Sequence, residues 1–426
     1  MLAGGTEKLP DGGVDAYGDV PLRIGEDPRR LLDDALAELR PEEVVDLSDE
    51  PVLGYRLRHE LAAIALHRGV TYTGADFTFR PPPRPHLCSS ASLAIIGTGK
   101  RTGKTSVAGY IARAAAGQGR HPVIVAMGRG GPPEPEVLRG DQIELDPRSL
   151  LELADSGKHA ASDYIEDALL ARVPTVGCRR CGGGLPGAVW VSNVAEGIEA
   201  ANELDGDLTI LEGSGSSIPP SHADATCLVI PANIPEEYIA GYMGPYRLLL
   251  SDFVVVTMAE VPFGTSSAVS ALTSRIRDSF RTTRDGEEPT RPRVVRTVFR
   301  PHPTRSVEGA AAYVATTAPE AAGDAIKKHL EKEHGCRVVG VSHSLSDRAK
   351  LRRELDEAGD AADVVLCEIK AAGVDVVTRR ALEKGLEVVY MDNVPVPVDG
   401  DDLDGTIEWA IARADDRYER MQGRRG

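Results

Sequence analysis

Short apolar runs alternate along the chain with longer segments in which apolar residues recur every three or four positions. In the middle of the chain, five such runs lie at 93–96, 123–127, 208–211, 227–230 and 253–258. They are apolar at nearly every position, which is typical of strands buried on both faces of a parallel sheet. The intervening segments are long enough to hold crossover helices, and we predict one over the alanine-rich, proline-free stretch 106–116. The pattern therefore predicts an α/β fold with a central parallel sheet.

The two ends of the chain repeat this alternation on a smaller scale. Before the proline-rich break at 81–85, which cannot continue a helix or a central strand, the pattern predicts helices over 28–40 and 53–64 and strands at 44–47 and 70–73. After the charged stretch 285–293, strands are predicted at 294–299, 313–315, 338–341, 364–366 and 388–390, and helices over 320–333, 348–358, 376–384 and 402–425. We therefore predict a central domain at 90–284, flanked by smaller N-terminal (1–89) and C-terminal (285–426) α/β domains. The C-terminal domain is expected to hold a second open sheet.

Composition narrows the class of protein. Of the 426 residues, 42% are hydrophobic and 27% are charged, which is typical of a globular chain. The net charge of −16 argues against nucleic acid as the main partner, and no run of 18 apolar residues predicts a membrane span. Residues 1–25 lack the apolar stretch of a signal peptide, and six cysteines without such a signal indicate reduced thiols. We therefore expect a cytoplasmic protein.

The strongest chemical signal is a glycine-rich loop between a strand and a helix. Residues 97–105 read Gly-Thr-Gly-Lys-Arg-Thr-Gly-Lys-Thr and lie between the predicted strand 93–96 and the helix 106–116. In this setting, successive backbone N–H groups and the helix N-terminus bind a phosphate. Lys104 then reaches the β- and γ-phosphates, and the Thr105 hydroxyl ligates Mg²⁺. The predicted nucleotide site consists of Gly97, Thr98, Gly99, Lys100, Arg101, Thr102, Gly103, Lys104, Thr105 and Ser106.

The spacing of this loop is unusual, because its first glycine is Gly97 and the usual position holds Thr98. This variant resembles the dethiobiotin-synthetase branch of P-loop enzymes. Residues 207–215, which read Asp-Leu-Thr-Ile-Leu-Glu-Gly-Ser-Gly, are similar to the strand of that branch that ends in Glu-Gly. The resemblance implies that Glu212 helps to hold Mg²⁺. Asp141 is a second candidate for supporting Mg²⁺ or the lysine, with the capping of a turn as the alternative.

An acidic protein that binds ATP must gather its cations locally, so arginines beside glycine turns are candidate ligands of phosphate. Arg129 follows the predicted strand 123–127, at the end of the strand where open α/β sheets bind ligands. Arg179 and Arg180 precede three glycines, and we predict a mobile cationic loop there. Arg247 lies in a helix-like segment, Gly-Pro-Tyr-Arg. For Arg129 the alternative interpretation is a plain turn, and for Arg247 it is a solvated surface arginine.

The two cysteines that flank Arg179 and Arg180 raise the question of a zinc site. A structural zinc site needs four ligands, and the sequence holds no second Cys-x-x-Cys pair beside Cys178 and Cys181. Completion of the set by His159 or His222 has no support in the sequence. Whether the pair binds a metal is left open.

Together these segments resemble the cyclic 2,3-diphosphoglycerate synthetase family. The matching segments are 45–51, 97–105, 178–187, 212–216, 241–247 and 374–378, which span nearly the whole chain. The resemblance implies ATP-dependent closure of 2,3-diphosphoglycerate into a ring through an intramolecular phosphoanhydride, with release of ADP and phosphate. It also implies Mg²⁺, K⁺ as a further candidate cofactor, and a homodimer.

The chemistry of that reaction suits the residues that the sequence offers. The attacking phosphate oxygen is already anionic, so neutralising charge matters more than a strong base. We expect Lys104, Lys100, Arg101 and Arg129 to act in catalysis, and Arg129, Arg179, Arg180 and Arg247 to bind the substrate phosphates. Two alternatives remain: another ATP-dependent ligase or kinase of the same branch, and a regulatory or metal-insertion NTPase, to which the cysteine pair would be suited.

Overall fold

All five apolar runs of the central block form strands in the computed structural model, which describes residues 20, 22–50, 52–143, 146–157, 162–283, 287–358 and 361–424. The strands are β1 (Glu43–Val45), β2 (Thr71–Thr73), β3 (Thr78–Phe79), β4 (Ala91–Gly97), β5 (Pro122–Gly128), β6 (Glu136–Arg139), β7 (Pro174–Cys181), β8 (Val191–Ser192), β9 (Leu208–Glu212), β10 (Ala225–Pro231), β11 (Phe253–Thr257), β12 (Arg293–Pro303), β13 (Ala311–Ala315), β14 (Arg337–Ser342), β15 (Val364–Glu368) and β16 (Glu387–Pro397). Strands β4, β5, β9 and β11 are buried at every position, as their apolar sequences predict.

Helices connect these strands and cover the sheet. They are α1 (Pro28–Leu39), α2 (Tyr55–His67), α3 (Lys104–Gly117), α4 (Pro147–Asp155), α5 (Asp163–Ala171), α6 (Val194–Asn202), α7 (Glu237–Ala240), α8 (Gly244–Leu250), α9 (Ser266–Arg277), α10 (Gly323–His334), α11 (Arg348–Ala358), α12 (Arg379–Glu383) and α13 (Leu403–Gly423). A 3₁₀ turn (Glu320–Ala322) precedes α10, and a π-helical turn (Gly373–Thr378) precedes α12. Among the residues that the structure describes, no helix combines the length and apolar character needed to cross a membrane.

One large sheet runs through most of the molecule. Its strand order is β14-β13-β15-β16-β12-β11-β10-β4-β9-β5-β7-β6, with β8 paired to the end of β7. The pairings from β12 through β11, β10, β4, β9 and β5 to β7 are parallel, whereas β6 and β8 pair with β7 in the antiparallel sense. Since β4 lies between β9 and β10, the loop that follows it emerges at the centre of the carboxyl edge of the parallel strands.

The prediction of a second, separate sheet in the C-terminal block is wrong, because β12 joins the two sets of strands. β12 is 11 residues long. Its first part pairs in parallel with β11, at Arg293 to Arg296, and its second part pairs antiparallel with β16, from Thr297 to Pro303. Strands β13 to β16 therefore extend the central sheet.

The last helix returns to the centre of the molecule. Helix α13 packs on β4, β10 and α3, and its buried residues Leu403, Ile407, Ala410 and Ala414 belong to the same core as Leu93 and Val107. The side chain of Glu287 accepts hydrogen bonds from three arginines of this helix. The chain after residue 285 therefore completes one face of the central layer.

The N-terminal residues form a small unit against the opposite face. Asp27 caps α1 as its sequence predicts, with its side chain accepting a hydrogen bond from the backbone N–H of Arg29. Strands β1, β2 and β3 make a three-stranded sheet, and α2 packs against α8 of the central block. The buried apolar residues of α2 share a core with Tyr246 and Leu249.

Candidate active site

The glycine-rich loop between β4 and α3 has the conformation that its sequence predicts. Lys104, only 7% exposed, folds back over the loop and donates a hydrogen bond from Nζ to the carbonyl oxygen of Gly99 at 2.9 Å. A Cβ atom at position 97 would lie 2.9 Å from Cδ of this lysine, so a glycine is needed there despite the shifted spacing. Gly103 adopts a φ of 91°, in the left-handed region that favours glycine.

Neighbouring strands hold the loop in place. Oγ1 of Thr257, at the end of β11, donates a hydrogen bond to the carbonyl oxygen of Thr102 at 2.8 Å. Phe299 of β12 packs so closely over Gly103 that a Cβ atom there would lie 2.3 Å from the ring. Lys100 and Arg101 are exposed at the tip of the loop. The loop therefore has a fixed base and a cationic, accessible tip.

Next to the loop, buried carboxylates form a site suited to a divalent cation. Oγ1 of Thr105 donates a hydrogen bond to Oε1 of Glu212 at 2.7 Å. Glu212 and Asp167 are each 1% exposed, and Oε2 of Glu212 and both carboxylate oxygens of Asp167 have no hydrogen-bond donor among the described residues. Burial raises the pKa of Glu212 and of Asp167, and their mutual proximity raises that of Asp167 further. Unpaired buried carboxylate oxygens beside a loop hydroxyl are the donor set that Mg²⁺ prefers.

The structure gives Asp141 different surroundings from those expected. Asp141 forms an ion pair with Arg139, with Nη2 and Oδ2 2.6 Å apart, at the end of the antiparallel edge strand β6. Instead, the first turns of α5 bring Asp167 and Asp163 towards Glu212. Sequence reasoning missed these two residues. The only signal was the spacing of Asp163, Glu166 and Asp167, which puts three acidic residues on one side of a helix, and such a pattern is usually a solvated face.

The segment predicted as a mobile cationic loop is instead ordered strand at its start, which corrects that expectation. Cys178 to Cys181 form the end of β7, which pairs with β5 on one side and with β6 and β8 on the other. Side chains of successive strand residues point to opposite faces. Arg180 accordingly faces inwards and is 3% exposed, while Arg179 is exposed and donates from Nε to the carbonyl oxygen of Gly131 at 2.6 Å.

Arg180 and Arg247 are buried beside the phosphate loop, and neither is ion-paired with a carboxylate of the described residues. Arg180 donates from Nη2 to the carbonyl oxygen of Ser214 at 2.8 Å. Arg247, also 3% exposed, donates to the carbonyl oxygens of Leu185, Tyr242, Met243 and Ser216, the last at 2.5 Å. Within the described ranges, Nε of each arginine lacks a hydrogen-bond partner, and the carboxylate of Asp163 acts on Arg180 only through its charge. Burial lowers the pKa of Arg247 to about 10 and also lowers that of Arg180.

These cations converge on one region. The positive charges of Arg180 and Arg247 add to burial in lowering the pKa of Lys104, which the carboxylate of Glu212 opposes. Lys100 and Arg180 both approach Gly215. A Cβ atom at Gly215 would lie 3.6 Å from Cγ of Lys100 and 3.3 Å from Nη2 of Arg180. Arg129 is exposed at the end of β5, close enough for its charge to lower the pKa of Arg180. The structure thus brings five of the predicted cations to the mouth of the loop and turns Arg179 away: Lys100, Lys104, Arg129, Arg180 and Arg247.

The two cysteines do not share a side of the strand. Cys178 is buried and Cys181 is exposed, as expected for residues three apart in a strand. Of the two histidines considered as completing ligands, His159 lies outside the described residues, and His222 lies 3.7 Å from Asp224. Within the described ranges, no three His, Cys, Asp or Glu side chains are grouped as metal ligands, so the cysteine pair has no completing set, and the cation site beside the loop rests on two carboxylates and the Thr105 hydroxyl.

The C-terminal block also reaches this site. Nζ of Lys370, which follows β15, donates hydrogen bonds to both carboxylate oxygens of Glu166 at 2.8 and 3.1 Å, next to Asp167 on α5. Arg113 of α3 forms an ion pair with Asp392 of β16. Sequence reasoning did not single out Lys370 or Glu166, because their proximity depends on the junction at β12.

Comparisons with known proteins show the family of this chain. Family models for cyclic 2,3-diphosphoglycerate synthetase match along the chain: the N-terminal domain at residues 1–80, the P-loop domain at 92–283 and the C-terminal domain at 303–394. A cyclic 2,3-diphosphoglycerate synthetase of Rubrobacter xylanophilus is 49% identical over 411 residues, covering 96% of this chain and 89% of that protein. Those of Methanothermobacter thermautotrophicus and Thermococcus kodakarensis are 44% and 45% identical over 97% and 95% of this chain, covering 89% and 90% of their own. The chain therefore belongs to the cyclic 2,3-diphosphoglycerate synthetase family.

Proposed function

We propose that this protein closes 2,3-diphosphoglycerate into cyclic 2,3-diphosphoglycerate, using ATP and releasing ADP and phosphate. The observation that carries the proposal is the pair of buried arginines, Arg180 and Arg247, next to the phosphate loop. A buried guanidinium that donates only to carbonyl and hydroxyl oxygens has lost its hydration without gaining a paired countercharge. A substrate with two phosphate groups supplies that countercharge, which explains why the fold tolerates two such arginines in one place.

The acidic character of the protein means that a polyanionic substrate can bind only where cations are concentrated. The chain has a net charge of −16, so a polyanionic substrate and ATP are repelled except where cations are concentrated. Lys104, Arg180 and Arg247 are all at most 7% exposed, so their charges are poorly screened and act strongly on a bound phosphate. Arginine binds a phosphate with two parallel hydrogen bonds, which also fixes the orientation of the phosphate.

The reaction balances in two displacements. An oxygen of one substrate phosphate attacks the γ-phosphorus of ATP, the bond between that phosphorus and the β,γ-bridging oxygen breaks, and ADP leaves. An oxygen of the second substrate phosphate then attacks the substrate phosphorus that carries the transferred group. The ring phosphoanhydride forms and orthophosphate leaves. Each attacking oxygen is already anionic, so no general base is required.

The chain's own residues have distinct tasks in these steps. Lys104 and the backbone N–H groups of the loop hold the β- and γ-phosphates, and Arg180 and Arg247 orient the substrate phosphates. Lys100 and Arg101 at the loop tip, together with Arg129, bridge the two reactants and offset the negative charge that accumulates between them.

The buried carboxylates fit the cation that this chemistry implies. Thr105, Glu212 and Asp167 would hold Mg²⁺, since their unpaired oxygens lie next to the loop hydroxyl. When bound, Mg²⁺ neutralises charge on the β- and γ-phosphate oxygens. K⁺ as a further cofactor, a cytoplasmic location and a homodimer complete the proposal. They are tested by K⁺-dependent activity, by cell fractionation and by light scattering of the purified protein.

The test of the proposed reaction is ³¹P NMR of the purified protein with ATP, Mg²⁺, K⁺ and 2,3-diphosphoglycerate. We expect an upfield, pyrophosphate-like pair of signals to grow in step with ADP and orthophosphate. Positional isotope exchange in ATP labelled at the β,γ-bridge then reports whether transfer to the substrate precedes ring closure. Substrate resonances that stay unchanged while ATP is hydrolysed at the same rate without substrate would overturn the proposal.

A further inference from the structure

A second, basic cleft lies at the junction of the N-terminal unit and the central sheet. It has a volume of about 320 Å³ and is open to solvent. Its walls come from three parts of the chain: the end of α2, the proline-rich segment 81–85, and the central block at His222, Tyr246 and Thr283. A volume of this size suits a small metabolite.

The cleft is separate from the phosphate loop. His222 precedes β10, so the cleft lies at the amino edge of the parallel strands, whereas the loop follows β4 at their carboxyl edge. Strands of seven residues separate the two edges by about 20 Å. The mechanism proposed above uses none of the residues that line this cleft.

The charged side chains that line the cleft, among the residues that the structure describes, are all basic. They are Arg68, Arg84, His67 and His222, and no carboxylate of the described ranges belongs to the lining. On a chain with a net charge of −16, such a concentration of basic groups is unusual. Cations of this kind around a concave surface bind phosphate or carboxylate groups.

Two acidic residues outside the lining contact two of these basic residues. Asp33 forms an ion pair with Nε of Arg68 at 2.7 Å, and the Thr282 hydroxyl also accepts from this arginine. Asp224 is 2% exposed and lies 3.7 Å from Nε2 of His222, where it accepts hydrogen bonds from the backbone N–H and hydroxyl of Ser92. These contacts fix the orientation of the arginine and the imidazole while leaving the carboxylates out of the lining.

The remaining walls are rigid. Pro82 and Tyr246 are buried and form apolar sides of the cleft, and the rings of His86 and His222 lie with their centroids 3.9 Å apart, tilted by 36°. A site whose side chains are already oriented loses little conformational entropy when a ligand binds.

We propose that this cleft binds a small polyanion that carries phosphate or carboxylate groups, at a site distinct from the nucleotide and substrate site. Tyr246, which lines the cleft, immediately precedes Arg247 on α8, so a ligand in the cleft contacts the helix that carries an active-site arginine.

The test uses the full-length protein with its nucleotide site saturated with ADP, titrated separately with pyrophosphate and with citrate. Calorimetry gives the affinity, and ¹³C-labelled histidine NMR reports the site through His67 and His222. Arg84→Gln is expected to weaken binding about tenfold, because one charge-assisted hydrogen bond is lost. Arg80→Gln, which changes a nearby exposed arginine outside the cleft, is the matched control and is expected to bind like the parent.

Either probe binding with these properties supports the proposal, and the preferred probe identifies the charged group that the cleft selects. Histidine resonances that do not move with either probe would overturn it, as would equal affinity of the Arg84 and Arg80 variants. If Arg84→Gln fails to fold, the histidine signals of the unmodified protein decide the question alone. Because none of these readouts needs turnover, they are independent of the proposed reaction.

Discussion

Glu287 forms ion pairs with arginines of the last helix, α13. We expect that replacing it lowers the free energy of unfolding by an amount that can be worked out from the structure. The carboxylate is 14% exposed and accepts hydrogen bonds from Arg413, from Arg417 at 2.8 Å and from Arg420 at 2.6 Å. These arginines lie on one side of α13. Glu287→Gln keeps the shape of the side chain and removes its charge.

The lowered pKa of Glu287 gives the size of the expected loss in the free energy of unfolding. Although burial opposes the effect, hydrogen bonds and charge from the arginines lower the pKa of Glu287 from 4.5 to about 2. A shift of this size corresponds to at most about 3 kcal/mol at pH 7. Because Arg420 is 53% exposed and its pairing is screened by water, we expect a loss of about 2 kcal/mol in the free energy of unfolding.

The sign of the pH dependence follows from the same shift. The folded state binds this proton less readily than the unfolded state, so the stabilisation is fully present above about pH 4.5. It is lost as the pH falls towards about 2, where the folded state also becomes protonated. The difference in stability between the parent and Glu287→Gln should therefore be largest near neutral pH and shrink in acid.

The assay follows α13 through one fluorophore. The chain has two tryptophans, and Trp409 of α13 lies under the guanidinium of Arg293 at 4.2 Å, so Trp190→Phe leaves it as the only reporter. Urea titrations of fluorescence at pH 7 and pH 3.5 compare Glu287→Gln with Glu288→Gln, a neighbouring exposed glutamate. Equal stability loss in both variants at pH 7, or a loss for Glu287→Gln that is the same at both pH values, would refute the reasoning.

Three further predictions concern the site. Lys104→Ala is expected to lower the rate of ADP release about a thousandfold while the circular dichroism spectrum stays unchanged, because the γ-phosphate loses its cation; full activity would remove Lys104 from the site. Asp167→Asn is expected to weaken Mg²⁺-dependent nucleotide binding about tenfold in calorimetry. The control Asp155→Asn, at an exposed position, is expected to leave binding unchanged, and equal effects of the two variants would contradict the assignment of Asp167 to the metal site. Arg247→Gln is expected to raise the KM for 2,3-diphosphoglycerate at least about tenfold, with little change in the KM for ATP. Arg275→Gln, on the surface, is the control. A change confined to the KM for ATP would place Arg247 at the nucleotide.

Local sequence was sufficient for the loop and for the strands that position it. The backbone conformation of the phosphate loop depends on glycines at fixed places and on the strand and helix that flank it, and all of these lie within about 25 consecutive residues. Likewise, the apolar runs of β4, β5, β9, β10 and β11 were readable because a strand covered on both faces has no polar side to interrupt its pattern. Helix α1 was predictable through its Asp27-Pro28 start for the same local reason.

Contacts between distant residues decided the rest of the site. The spacing of acidic residues on α5 did not identify Asp167 as a metal candidate, since such a pattern is usually a solvated face and only the packing of α5 places Asp167 at Glu212. Arg179 and Arg180 are adjacent and identical, and the alternation of β7 alone determines that one is buried and the other exposed. Sequence reasoning had grounds to name Asp141 and none to name Asp167, because the sequence shows which residues are acidic and does not show which way they face.

The sequence by itself determined that this chain is an α/β protein with a phosphate loop, because those features are encoded by short-range periodicity and by glycines at fixed spacing. Only the tertiary structure decided that the C-terminal strands continue the central sheet and that α13 returns to cover it. Both outcomes depend on one strand, β12, being long enough to pair with β11 at its start and with β16 at its end. Pairing between strands about 90 residues apart depends on the register of distant segments, which no local pattern specifies.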